Sequence, residues 1–284
     1  MSGKWIRPLI CPVCAQPLGD YGQVWHCPAG HSFDVAREGY VNLLRRHKKL
    51  PDTVGDAPEM LRARWEFLAR GFYEPLSDVV NGVVATAVAD HSAPVIVDVG
   101  CGEGYYLRRL AARLAGQPAA LFGVDIAKTA VRLAAKGGGG HGRYLVADIN
   151  EQLPFADHSV HVLLNLFAPR HPAEFARLVI PGGLLLIVIP APDHLQSLRD
   201  RFALMGIQAQ KEAHITAQFA SLFAAQPAQM VIFPLQLDAL ALSWLIQMMP
   251  GVRHLTLPQQ EAIVQTPTME TVARFVVLTM RREA

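Results

Sequence analysis

From Pro94 onward, short apolar runs alternate with longer amphipathic ones. The apolar runs are Val95–Val99, Leu121–Val124, Tyr144–Val146, Val160–Leu166 and Leu184–Ile189. Between them, Tyr105–Leu114, Ala127–Lys136 and Pro172–Val179 carry apolar residues at helical spacing. Strands apolar on both faces and separated by helices predict βαβ units around a mostly parallel sheet. Met230–Pro234 and Ala273–Met280 are later strand candidates, expected to close that sheet as an edge pair. Gly137–Gly140 marks where the second helix should end. Upstream, Met60, Leu61, Arg64, Trp65 and Leu68 recur at helical spacing. These patterns divide the chain into an N-terminal module (1–44), a polar linker followed by helix (45–90) and an α/β domain (91–284).

Composition supports a packed protein: 51% of the 284 residues are hydrophobic. The run Gly183–Ala191 is far shorter than the roughly 20 residues that span a bilayer. Leu235–Met249 is interrupted by Asp238, Ser243 and Gln247. Lys4, Trp5 and Arg7 break up the first ten residues, against a signal peptide. A cytoplasmic protein without a membrane partner is expected. Charge is uneven. Residues 1–70 carry a balance of +3 and the remainder −1. Arg37, Arg45, Arg46, Lys48 and Lys49 crowd one short stretch against Glu38 alone. Such a run is ordinarily a solvated loop; beside a domain that handles nucleic acid it becomes a phosphate-facing strip.

Three of the four cysteines lie in the first region. Cys11-Pro-Val-Cys14 and Cys27-Pro-Ala-Gly-His31 form a C-x2-C-x12-C-x3-H arrangement. Two residues between thiolates let a tight turn aim both at one ion, and the second pair completes a tetrahedron. Four protein ligands leave no open position, so a structural zinc ion is expected, not a catalytic one. It would stabilise a segment too small to fold on its own core.

The most informative stretch is Asp98-Val-Gly100-Cys-Gly102-Glu103-Gly104, directly after an apolar strand and before a helix. Glycines allow backbone angles and close approaches that a side chain forbids. A dinucleotide site would need G-x-G-x-x-G; the spacing here is G-x-G-x-G, with an acid two positions ahead. It resembles the first motif of the class I methyltransferases, which wraps the amino-acid part of S-adenosylmethionine. Asp125 ends the second strand, suited to ribose hydroxyls, and Asp148 follows the third, where this class holds adenine. Singly each acid would be a cap or turn residue; three at successive strand ends favour a ligand. Cys101 reads as a small filler.

Together the two halves resemble the RlmA family of bacterial 23S rRNA (guanine-N1)-methyltransferases. The resemblance is carried by Cys11-Pro-x-Cys14, Cys27-Pro-x-x-His31-x-Phe33-Asp34, Glu38-Gly39-Tyr40-Val41-Asn42-Leu43-Leu44 and Asp98 to Tyr106. It extends through Gly55-Asp56, Phe67-Leu68, Ala168-Pro169 and Pro181-Gly182-Gly183, and weakens after about residue 200. It implies zinc on Cys11, Cys14, Cys27 and His31, and cofactor contacts from Tyr73, Gly102, Glu103 and His194. It also implies a guanine in a hairpin loop of 23S rRNA as substrate. The chain departs at Phe167, where a tyrosine is expected in many members.

Methylation at guanine N1 requires the N1 proton to leave. Asn165, Asp148, His194 and His171 are the candidate polar groups near the strand tips; no pattern selects among them. Phe167, Phe33 or Tyr40 could stack on an extruded base. Two other readings stay open: a methyltransferase of small molecules, and a non-enzymatic zinc-ribbon RNA-binding protein. A homodimer is also left open.

Overall fold

A computed structural model describes residues 4–45, 55–249, 251 and 254–283. Arg46, Lys48 and Lys49 of the basic stretch therefore lie outside the described residues.

The N-terminal module is a four-stranded antiparallel sheet in the order β1 (Lys4–Ile10), β2 (Pro17–Asp20), β3 (Val24–His26) and β4 (Ser32–Asp34). It is not a bead on a tether. Ile10 N donates to Pro154 O and Ala156 N to Pro8 O, each at 3.0 Å. Ile6, Leu9, Leu18 and Trp25 share one buried cluster with Phe122, Phe155 and Phe175 of the α/β domain. Strand β5 (Tyr40–Asn42) then leaves the module altogether and pairs in parallel with a strand a hundred residues later. The Glu38-to-Leu44 string is thus the point where the module joins the large sheet.

Two helices follow, α1 (Pro58–Ala69) and α2 (Glu74–Ala87). The expected α/β alternation comes next: β6 (Val95–Val99), α3 (Tyr105–Arg113), β7 (Ala120–Asp125), α4 (Lys128–Gly137), β8 (Arg143–Val146), β9 (Val160–Leu166), α5 (Pro172–Leu178) and β10 (Val179–Pro190). The C-terminal part adds α6 (Gln196–Arg201), α7 (Lys211–Phe219), β11 (Phe223–Ala225), β12 (Gln229–Asp238), α8 (Ala239–Gln247), α9 (Leu257–Val264) and β13 (Thr268–Arg282). The large sheet runs β11-β13-β10-β9-β6-β7-β8-β5, with β12 also on β13. Strands β5 to β10 are mutually parallel, and β13 is antiparallel to its neighbours.

The expected edge pair forms: β12, which holds Met230–Pro234, pairs antiparallel with β13, which holds Ala273–Met280 and joins the pair to β10. The short β11 lies end to end with β12 along β13. Burial alternates over the first half of β13 and is continuous over Phe275–Leu278.

The parallel strands are apolar on both faces because both are covered. One face meets α1 to α4, α6 and α8. The other meets α5, α7 and the N-terminal module, which takes the place of a helical layer. Chain order reverses between β6 and β9, and ligands of open α/β sheets bind at the carboxyl ends beside such a switch. No helix among the described residues is long and apolar enough to cross a membrane.

Because the two parts share a core, Leu9→Ala should lower the stability of the whole chain by about 2–5 kcal/mol. Denaturant unfolding should show one shifted transition; a separate early transition for the module would contradict a shared core.

Candidate active site and metal centre

Two tight turns build the metal centre. After β1, Ala15 N returns to Cys11 O, and after β3, Gly30 N returns to Cys27 O. These turns bring Cys11, Cys14, Cys27 and His31 together with all ligand atoms within 4.8 Å of one another. Individual separations are 3.6 Å for Cys14 Sγ to Cys27 Sγ, 3.4 Å for Cys27 Sγ to His31 Nδ1 and 3.7 Å for Cys11 Sγ to His31 Nδ1. Zinc–ligand bonds of about 2.1–2.3 Å require tetrahedral edges of roughly 3.5–3.8 Å, so the donor set fits that ion. Arg45 is exposed and its Nε donates to Pro12 O of the first turn, 2.9 Å away, which places its charge beside the metal centre. Arg37 extends into solvent next to Glu38.

The glycine loop sits at the carboxyl end of β6, beside the switch point. Gly100 N and Cys101 N both donate to Val124 O at the end of β7, at 2.8 and 3.0 Å. Gly100 has φ +84°, and a Cβ there would stand 2.2 Å from the Ala168 Cβ. Gly104 caps α3 at φ +77°, where a Cβ would stand 2.9 Å from the Ala134 Cβ. No other residue fits either position. Cys101 is buried and its thiol pKa lies well above the usual value, as suits a filler.

The acids take distinct positions. Asp98 is buried with Oδ1 unpartnered, and burial, aided by the Asp125 and Glu103 carboxylates, pushes its carboxyl up to about 8. Glu103 is buried with Oε2 unpartnered; burial raises its pKa against the pull of Arg64. Asp125 accepts from Gly102 N at 2.9 Å and Ala127 N at 2.8 Å. Asp148 accepts from Asn150 N and Asn150 Nδ2 through Oδ1. Buried polar atoms normally find partners. Of the seven orphaned among the described residues, Asp98 Oδ1, Glu103 Oε2 and the Tyr105 and Tyr106 hydroxyls belong to this loop and its helix. A cofactor bearing cations and hydrogen-bonding groups fits that deficit.

Tyr73 is buried and packs edge-on against Phe67, Phe233 and Phe275. His194 lies over the same Phe275, ring centroids 4.4 Å apart. Burial pushes the His194 imidazole down to about 4. Its Nδ1 lies 3.0 Å from both Arg274 N and Arg274 O, so the backbone of β13 fixes the ring, and burial keeps it neutral.

Two candidates of the strand tips hold backbone in place. Asn165 is fully buried, and its Nδ2 donates to Val99 O and Pro169 O. It binds the loop after β9 to the end of β6, and its buried Oδ1 has no hydrogen-bond partner among the described residues. His171 caps α5, its Nδ1 accepting from Glu174 N. Phe167, between them, stands 44% exposed with φ +58°. Tyr40 is buried in β5, whereas Phe33 is partly buried in the module. Sequence reasoning gave no role to Arg64 or Tyr106, both of which border the loop. The one available signal was a charged residue within the apolar stripe of α1.

Comparison with known proteins agrees with this geometry. A family profile described as "RlmA, N-terminal" matches residues 9–50, and one described as "Methyltransferase domain" matches residues 96–183. A 23S rRNA (guanine(748)-N(1))-methyltransferase of Streptomyces fradiae is 38% identical over 256 residues, covering 89% of each chain. The chain belongs to the RlmA family. A Micromonospora griseorubida relative, provisionally named for guanine-N1 methylation of 23S rRNA, is 42% identical over 73% of this chain and 74% of its own. A Bacillus subtilis relative with a similar provisional name is 31% identical over 84% of this chain and 85% of its own. The methyltransferase domain of this RlmA chain implies S-adenosylmethionine as cofactor, and its ribbon a structural zinc ion.

Removing zinc with a strong chelator should lower the melting temperature of the whole protein, because the ribbon core is continuous with the domain core. An unchanged melting curve after verified zinc loss would contradict this. Asp98 gives a second expectation. Between about pH 4 and 8 only the unfolded chain ionises this carboxyl, so stability of the cofactor-free protein falls as pH rises through that window. Asp98→Asn should therefore stabilise the cofactor-free protein at pH 8 by on the order of 1–3 kcal/mol while weakening cofactor binding at least tenfold. Thermal denaturation and calorimetric titration read the two effects.

Proposed function

We propose that this chain transfers the methyl group of S-adenosylmethionine to N1 of a guanine in a hairpin loop of 23S ribosomal RNA. The observation that carries the reading is Phe167. It is an exposed aromatic in a left-handed conformation, on the loop that packs directly against Gly100. Strained aromatic positions of this kind persist where the surroundings enforce them, often at functional sites. Its ring also neighbours Tyr106 and Phe275, so it bridges the cofactor crevice and the open face.

When bound, the cofactor supplies an electrophilic methyl group on a sulfonium. Asp98 and Glu103 face its cationic end, Asp125 the ribose hydroxyls and Asp148 the adenine. Gly100, Gly102 and Gly104 shape the backbone around the amino-acid end. Tyr73 and His194 wall the crevice. Phe167 stacks on the extruded guanine and holds N1 toward the crevice. Asn165 positions that loop. His194, with its imidazole pushed down to about 4, is a weak base toward the N1 proton and does not titrate in the neutral range.

The RNA reaches this site along basic surface. Arg37, Arg132 and Lys136 line a groove of about 500 Å³ between the ribbon and the end of α4, with Glu38 the one acid among its lining residues. Arg45 stands beside the zinc turn. Arg46, Lys48 and Lys49, next in the sequence, carry further positive charge. Such contacts bind phosphate without reading sequence.

The test is incubation of purified protein with 23S rRNA fragments and S-adenosylmethionine, read by mass spectrometry of nucleosides and fragments. N1-methylguanosine at one position is expected, and the guanine named in the Streptomyces fradiae relative is the first to examine. Absence of methylated guanine in intact RNA and in ribosomal subunits would contradict the reading. Phe167→Ala should lower the rate at saturating cofactor about tenfold or more, a loss in line with the roughly 1–3 kcal/mol of base–aromatic stacking, and leave cofactor affinity unchanged. That rate should also rise with pH across the neutral range without an inflection near the ordinary imidazole value of about 6.5.

A further inference from the structure

Helix α1 lays one guanidinium across the glycine loop. Its inward positions are otherwise apolar, with Leu61, Ala63, Phe67 and Leu68 all buried. Arg64 interrupts that stripe. Its Nη1 is 2.6 Å from Asp56 Oδ2 and 3.9 Å from Glu103 Oε2. A Cβ on Gly102 would stand 3.5 Å from the same Nη1, so the guanidinium rests over the Gly102 backbone. Burial disfavours its charge, but Asp56, Glu103 and Asp125 outweigh burial and keep it cationic. Among the described residues, neither Nε nor Nη2 has an ion-pair partner.

The other guanidinium beside the loop is committed. Arg108 stacks on Trp65, 4.6 Å from the ring centroid, and its Nη1 donates to Glu103 O. The loop is otherwise walled by carboxylates: Asp98, Glu103, Asp125 and Asp56. These suit the ammonium and sulfonium of the cofactor, and those that are ionised repel its carboxylate, because like charges a few ångströms apart are costly in a poorly solvated site. The α-carboxylate therefore needs a cation over the loop. A planar guanidinium with two donors directed from one edge is the group that matches a carboxylate in geometry and charge.

We propose that Arg64 receives the α-carboxylate of the cofactor through Nε and Nη2, and that Asp56 is a positioning residue that holds Nη1. The proposal rests on the cofactor reading and adds a residue on α1, outside the glycine loop, to its recognition. Cofactor binding would then tie α1 to the α/β domain.

The test compares S-adenosylhomocysteine with its decarboxylated analogue by calorimetric titration of the full-length zinc-loaded protein, in wild type, Arg64→Gln and Asp56→Asn. Wild type should prefer the carboxylated ligand about ten- to hundredfold, the range of charge-assisted hydrogen bonds. Arg64→Gln should reduce that preference to about twofold or less while binding the analogue as wild type does. Asp56→Asn should shrink the preference without changing analogue affinity. Equal binding of both ligands by wild type overturns the proposal, as does a uniform loss for both ligands in Arg64→Gln with the preference intact. If Arg64→Gln fails to fold, the wild-type comparison and Asp56→Asn decide. Failure of wild type to bind either ligand would bring down the cofactor reading itself, and the proposal with it.

Discussion

The contact between Gly100 and Ala168 is the constraint on which the site depends. Two loops from neighbouring strands meet there with no room for a Cβ on the first. The approach is enforced from below, where buried Asn165 ties the end of β9 to the end of β6 through Val99 O and Pro169 O. The same tie sets Phe167 at positive φ and exposes its ring. Cofactor cradle and stacking surface are thus two sides of one packed junction. Shifting either loop would misalign nucleophile and methyl group, and positioning is most of what such a transfer demands of a protein.

The zinc ribbon enters this arrangement through the sheet. Its hydrophobic residues complete the core on the face opposite α1 to α4, and β5 extends the sheet beside β8. Leu43 N donates to Val146 O, two residues before Asp148. The metal centre fixes the first turn, whose Pro12 O accepts from Arg45 Nε, while β5 lies beside β8. The ribbon is therefore joined to the sheet that carries the glycine loop by continuous backbone hydrogen bonds.

Much of this was legible in the sequence, and the physical reasons are specific. Strands β6 to β10 are apolar on both faces because they are buried on both faces, which leaves an unmistakable run. The cysteine spacing and the glycine spacing each admit few geometries. What stayed hidden depends on contacts far apart in sequence. A three-residue strand such as β5 carries no periodicity of its own, and its pairing with β8 spans a hundred residues. The edge pair β12 and β13 was visible only as Met230–Pro234 and Ala273–Met280, because polar residues alternate with apolar ones in the rest of both strands. Asn165 and His171 looked like chemistry near strand tips, yet short polar side chains serve equally as struts and caps, and only their partners distinguish the two. The left-handed conformation of Phe167 leaves no mark in sequence at all.

The most direct test of this account is the binding of S-adenosylmethionine to wild type and Gly100→Ala, measured by equilibrium dialysis alongside circular dichroism. Wild type should bind one cofactor per chain. The variant should keep its secondary structure and lose affinity at least tenfold, because the added methyl group forces the two loops apart. A folded Gly100→Ala protein that binds as wild type does would contradict the claim that this junction shapes the site.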